Sequence, residues 1–75
     1  MSKNYLISKK IGYKIYYHRK KLGMPISLIS KEIGISPQQQ SRYERGVNRI
    51  TLDRLFQYAT YFEIDIQSFF QSIDI

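Results

Sequence analysis

Seventy-five residues carry 12 Lys plus Arg against six Asp plus Glu, a net charge of +6, with no Cys, no Trp and a single His. These counts allow one domain and exclude disulfides, thiolate metal sites and a His-rich metal centre. A hydrophobic content of 43% with 24% charged residues is that of a globular chain. A chain this short buries only about 60% of its unfolded surface, so self-association is the readiest source of extra stability.

No stretch approaches the ~18 to 20 apolar residues of a membrane span. The start, Met1-Ser2-Lys3-Asn4, is not followed by the apolar run of a signal peptide, so a cytoplasmic protein is expected. Residues 1–6 read as a short flexible segment. Ile7, Ile11, Ile15, His18 and Leu22 then recur at steps of three and four, one face of a first helix. Ser8 is its expected N-cap and Gly23 its stop. Gly12 inside the helix costs about 1 kcal/mol against Ala, which points to a close helix contact. Pro25 breaks the chain, and a second helix fits 26–33, ended by Gly34. Ser36 followed by Pro37 opens a third, with Gln39 completing a capping box and Gly46 closing it after Arg45. After a loop over 47–50, Thr51 caps a fourth helix with Asp53 in its first turn and Leu52, Leu55, Ala59 and Phe62 as its apolar stripe. Asp65 is expected to cap a fifth helix over 66–71. The pattern predicts an all-α fold, a compact bundle of five short helices, with the domain over 7–70 and a tail over 71–75.

Charge is uneven along the chain. Residues 1–49 hold 11 basic and two acidic side chains; residues 50–75 hold Arg54 against Asp53, Glu63, Asp65 and Asp74. The chain therefore has a positive end, which attracts polyanions, nucleic acid before an anionic membrane surface, and an acidic one. Within the basic part, residues 26–45 read helix, tight Gly-containing turn, helix. Ile29, Ile33, Ile35 and Tyr43 would pin the two helices at a steep angle, and small Ser30 and Gly34 would let them approach. The second helix would project Gln38, Gln39, Ser41, Arg42 and Arg45 outward.

On Arg19, the turn Gly34-Ile35-Ser36, the run Ser41-Arg42-Tyr43-Glu44-Arg45-Gly46, and Arg49-Ile50 with Leu52, Leu55, Ala59 and Phe62, the chain resembles the phage-repressor superfamily of Cro/CI or XRE-type helix-turn-helix domains. The resemblance covers about residues 7–70. The phrasing from Gln38 to Ile50 is also similar to small regulators encoded beside fimbrial operons. Four positions depart from the family pattern. Pro25 and Ile26 stand where the family usually has Ser and Gln at the start of helix two. Gln40 replaces an inward apolar residue, so either its polar end reaches the surface or the helix is slightly rotated. Pro37 occupies a position that often reads a base, and can offer only apolar contact, for instance to a thymine methyl.

The resemblance implies roles that the residue chemistry fits. Gln38 suits bidentate contact with adenine, and Gln39 either reads a base or is held back by its capping role. Arg42, one turn beyond Gln38, suits guanine or a phosphate; Ser41 between them suits a base, a phosphate or solvent. Arg45, Asn48 and Arg49, with Ser27 at the N-terminus of helix two, suit phosphate contacts. Arg19 and Glu44 would form a partly buried ion pair tying helix one to helix three. His18 reads as a packing residue. Tyr58, Tyr61, Phe70, Ile73 and Ile75 would form the interface of a two-fold homodimer, or else close a monomer core. The expected function is a sequence-specific double-stranded-DNA-binding regulator, a homodimeric repressor on a two-fold symmetric operator. The alternatives are an antitoxin-type module that binds a protein partner and autoregulates, and a nucleoid-coating protein. An enzyme is the least expected class, since no carboxylate pair, His–nucleophile set or phosphate loop occurs, and no cofactor is expected.

Overall fold

Nearly every helix boundary falls at a residue whose backbone chemistry stops or starts a helix. The computed structural model describes residues 3–71, with side chains from residue 6 onward. Helix α1 spans Lys3–Lys21 and runs out through Leu22 and Gly23. Helix α2, Ile26–Ile33, lies between extended Pro25 and left-handed Gly34. Helix α3, Pro37–Arg45, starts where Ser36 Oγ accepts the Gln39 N–H at 3.1 Å and ends at Gly46. Helix α4, Leu52–Phe62, starts where Thr51 Oγ1 accepts the Arg54 N–H at 3.2 Å and ends at Glu63. A single 3-10 helix, Ile66–Phe70, follows.

The described residues thus form four α-helices and one 3-10 helix, not five α-helices. The last element has five residues, and Asp65 gives it no side-chain cap. Its Ser68 N–H bonds the Asp65 carbonyl three residues back, the tighter ladder of a short helix. The long dimension of the molecule, 31 Å, is close to the ~28 Å length of a 19-residue helix, so α1 sets the size of the fold. No helix among the described residues is long and apolar enough to cross a membrane.

At the N-terminus the structure corrects the sequence reading. The helix starts at Lys3, so residues 3–6 are helical and Ser8 lies inside α1 rather than capping it. Ile7, Ser8 and Ile11 line a small cavity with Arg49 and Ile50. The loop after α3 therefore supports this part of α1, and that tertiary contact overrides the local cap signal.

The core consists of Ile11, Ile15, Ile29, Ile33, Tyr43, Leu55, Tyr58, Ala59 and Phe69, with Met24, Ile35, Ile50 and Phe62 among the residues packed against it. Ile7, Leu22 and Leu52, expected on apolar faces, are outside it, Ile7 at 49% exposure. Leu22 lies past the last turn of α1, and Met24 packs inward instead; Leu52, the first residue of α4, is 62% exposed. Its place on the α4 stripe is taken by Tyr58, which has no exposure at all. Tyr58 is therefore a core residue and cannot line a surface interface as the sequence suggested. Ile73 and Ile75 lie outside the described residues. His18 packs between Phe62 and Tyr17, each ring 5.2 Å away. Burial, with Lys14 and Lys21 nearby, holds its pKa below the usual value.

Two glycines bring α1 onto α3. A Cβ on Gly12 would fall inside contact distance of the Tyr43 carbonyl oxygen and 2.8 Å from that of Glu44. A Cβ on Gly46, whose φ is +73°, would lie 2.5 Å from the Lys9 Cα. At this separation Arg19 reaches across to Glu44, its Nε and Nη2 donating to the two carboxylate oxygens at 2.6 and 3.0 Å. Arg19 Nη1 donates to the Met24 carbonyl at 2.8 Å. Gln40 is fully buried, which corrects one expectation for it: its polar end does not reach the surface. The amide is satisfied inside. Its Nε2 donates to Glu44 Oε2 at 2.8 Å, and its Oε1 accepts from the Tyr58 hydroxyl.

Two stability predictions follow from this packing. Gly12→Ala should destabilise by about 1–3 kcal/mol in urea unfolding, because the methyl meets backbone that cannot yield. Helix propensity alone predicts a gain of about 1 kcal/mol, so the sign of the change is the test. Gln40→Leu should cost about 1–3 kcal/mol by leaving the buried Tyr58 hydroxyl without an acceptor. Adding Tyr58→Phe removes that hydroxyl, so the double variant should lose less than the two single losses together, by about 0.5 kcal/mol or more.

Candidate nucleic-acid interface

The turn between α2 and α3 is built from backbone bonds. The N–H groups of Gly34 and Ile35 both donate to the Ser30 carbonyl, at 2.8 and 2.9 Å. Ser30 is buried at the helix contact, its hydroxyl donating to the Ser27 carbonyl at 3.1 Å. At the far end of α2, the Ile33 carbonyl accepts from Arg54 Nη1 at 3.2 Å and Gln57 Nε2 at 2.7 Å, both from α4. Carbonyls in the last turn of a helix have no partner within it, and this clamp supplies one. Sequence reasoning missed it, because nothing in the spacing of Arg54 and Gln57 marks a backbone acceptor more than 20 residues away.

With Gln40 and Tyr43 turned inward, α3 shows its other face to solvent. Pro37, Gln38, Ser41, Arg42 and Arg45 line one open concavity of about 410 Å³, joined by Ile26 from the start of α2. The positions 38, 41, 42 and 45 are spaced three and four apart, which makes them one stripe. Gln38, Arg42 and Arg45 are exposed and Ser41 is half-buried. Arg45 Nε donates to Ser41 Oγ at 3.3 Å, so the Ser41 hydroxyl steadies Arg45 before any partner arrives. The ion pair recorded among the described residues is Arg19–Glu44, and Arg42, Arg45 and Arg49 have no carboxylate partner.

The remaining candidates lie apart from this stripe. Gln39 is half-buried and does not line the concavity; its backbone N–H is the donor to Ser36. Ser27 is exposed on the first turn of α2. Asn48 and Arg49 follow α3 in the loop, with Arg49 beside Ile7 and Ser8 of α1. Tyr61 is half-buried, its hydroxyl 3.7 Å from the Met24 sulfur, and Phe70 is 57% exposed. Phe56, which the sequence reading did not single out, is also exposed and lines an open groove with Ile33, Tyr61, Glu32 and Asp53. Arg42, Arg45 and Arg49 are exposed on α3 and the loop after it, and further lysines are exposed on α1, while Asp53, Glu63 and Asp65 are exposed on and beyond α4.

This arrangement has known counterparts. The helix-turn-helix family model matches residues 15–69. A transcriptional regulator in the ATPase CF(0) region of Rhodospirillum rubrum is 31% identical over 68 residues, covering 91% of this chain and 63% of its own length. HTH-type transcriptional regulators of Rickettsia prowazekii and Rickettsia conorii are each 33% identical over 68 residues, again 91% of this chain, and 52% and 54% of their own lengths. The chain therefore spans little more than half to under two thirds of these relatives. With a family match over most of its length and the α2–turn–α3 geometry described above, the chain belongs to the Cro/CI-type helix-turn-helix family.

Proposed function

We propose that the protein is a sequence-specific, double-stranded-DNA-binding transcriptional regulator that acts as a homodimer and represses by occluding the sites it occupies. One observation carries this reading: the solvent face of α3 is a stripe of Gln38, Ser41, Arg42 and Arg45, with neither arginine paired to a carboxylate among the described residues. A major groove admits a helix and displays the acceptors and donors that Gln and Arg pair with. Gln38 and Arg42 are the base readers of this proposal, and Arg45, Asn48, Arg49 and Ser27 position the backbone. Phe70 and Tyr61 are the candidate dimer surface, and the sequence adds Ile73 and Ile75, which lie outside the described residues. Occlusion needs only occupancy of a site, which a DNA face and an association face together provide.

The test is selection of bound duplexes from a random pool at moderate salt. The proposal predicts a two-fold symmetric consensus with half-sites about 34 Å apart, one turn of the duplex. Salt-sensitive binding with no consensus would leave only the electrostatic term and would overturn it in favour of a coating role or a protein partner. On the selected site, Gln38→Ala should flatten discrimination at one or two base pairs and leave non-specific affinity nearly intact. An equal loss on all DNA removes Gln38 from the readers. Arg49→Ala should weaken binding to every sequence and reduce the slope of log affinity against log salt by about one unit. An unchanged slope means that Arg49 neutralises no phosphate.

A further inference from the structure

The concavity beside α3 is chemically two-sided. Gln38, Ser41, Arg42 and Arg45 make one side polar; Ile26 and Pro37 make the other hydrocarbon. These two are the first residues of α2 and α3, so the turn brings two helix starts together at this corner. Ile26 is half-buried and Pro37 exposed. Pro25, before Ile26, gives α2 no side-chain cap bond, and Pro37 has no N–H. Neither Ile26 nor Pro37 can therefore donate or accept through its side chain.

The edges of base pairs in the major groove present donors, acceptors and a single apolar group, the C5-methyl of thymine. A polar edge pressed against Ile26 and Pro37 loses its water and gains no partner. A methyl group gains from the same contact. We propose that Ile26, acting with Pro37, is a specificity-determining residue that selects a 5-methylpyrimidine, thymine in unmodified DNA, next to the base pair read by Gln38. The inference rests on the sequence-reading function proposed above and adds to it an apolar reader on α2.

The experiment uses two random duplex pools, one made with thymine and one with uracil, which differ only in that methyl group. From the consensus of the thymine pool, a matched pair of duplexes is made with thymine or uracil at single positions in each half-site. The wild-type protein should bind the thymine duplex about fourfold more tightly at one such position, the effect of one buried methyl. Ile26→Ala and Ile26→Thr should bring that ratio close to one, and Ile26→Val should keep most of it. The wild-type comparison needs no variant, and the threonine variant keeps the branched shape of valine should the alanine variant fold poorly. Equal affinity for thymine and uracil at every position overturns the methyl contact while leaving the consensus, and so the sequence reading, intact. A wild-type ratio that survives in both the alanine and threonine variants overturns the assignment to Ile26. A thymine pool that yields no consensus overturns the sequence reading itself, and this inference with it.

Discussion

The carboxylate of Glu44 is the point on which the other contacts depend. It accepts two bonds from Arg19 on α1 and one from Gln40 on its own helix, and Gln40 in turn accepts from Tyr58 on α4. Arg19 also holds the Met24 carbonyl just before α2. One anion therefore links α1, α3, α4 and the entry to α2. An apolar layer at this position could rotate α3 by a fraction of a turn and still be packed. Directional bonds to one carboxylate break when the helix turns. Such a buried network is weak evidence for extra stability, since removing one partner strands the others. Its consequence here is geometric: Gln40, Tyr43 and Glu44 are held toward the core, and positions 38, 41, 42 and 45 are left facing out.

That network needs α1 close to α3, and closeness is set by atoms that are absent. Gly12 and Gly46 remove the two Cβ atoms that would meet the facing backbone. Tyr43 and Tyr58, packed edge to face at 6.3 Å, and Arg54 with Gln57 on the Ile33 carbonyl then fasten α4 to both helices of the motif. The outward face of α3 gains rigidity from three directions with none of its own outward side chains used. A 75-residue chain has few residues to spare for this purpose, and here the interior polar groups do the orienting while the apolar ones fill space.

Boundaries set by local chemistry were legible in the sequence, and contacts made at a distance were not. Ser36-Pro37, Thr51, Gly34 and Gly46 mark helix ends through their own backbone or side chains, so the bounds of α2 and α3 and the start of α4 were readable. Gly12 was readable as a close approach because glycine inside a helix needs a reason. Ser8 misled, since a cap signal is also compatible with a helix that continues through it when a loop packs alongside. Leu52 and Tyr58 exchanged places because periodicity gives an angle around the helix and not the angle of the core, and tyrosine reads as a surface residue until its hydroxyl has a buried partner. Gln40 supplies that partner from 18 positions away. At the interface, the stripe on α3 was visible from spacing alone, whereas Ile26 stood out only as a departure from the family pattern. Its place in the same concavity depends on how two helix starts meet across the turn.

The five arginines divide by what they touch, and that division is a stronger statement about function than the net charge. Arg19 is 8% exposed and paired, and Arg54 is bonded to the Ile33 carbonyl and to Gln57 Oε1. Neither can reach outward without giving up a structural bond. Arg42, Arg45 and Arg49 have no carboxylate partner among the described residues and belong to α3 or the loop after it. Long, always-charged side chains without an ion pair can meet a polyanion without first giving one up. Counting charge along the sequence treats all five alike. The structure removes two, sets Arg42 and Arg45 in one concavity with Gln38, and leaves Arg49 in the loop after α3, while Asp53, Glu63 and Asp65 are exposed on and beyond α4.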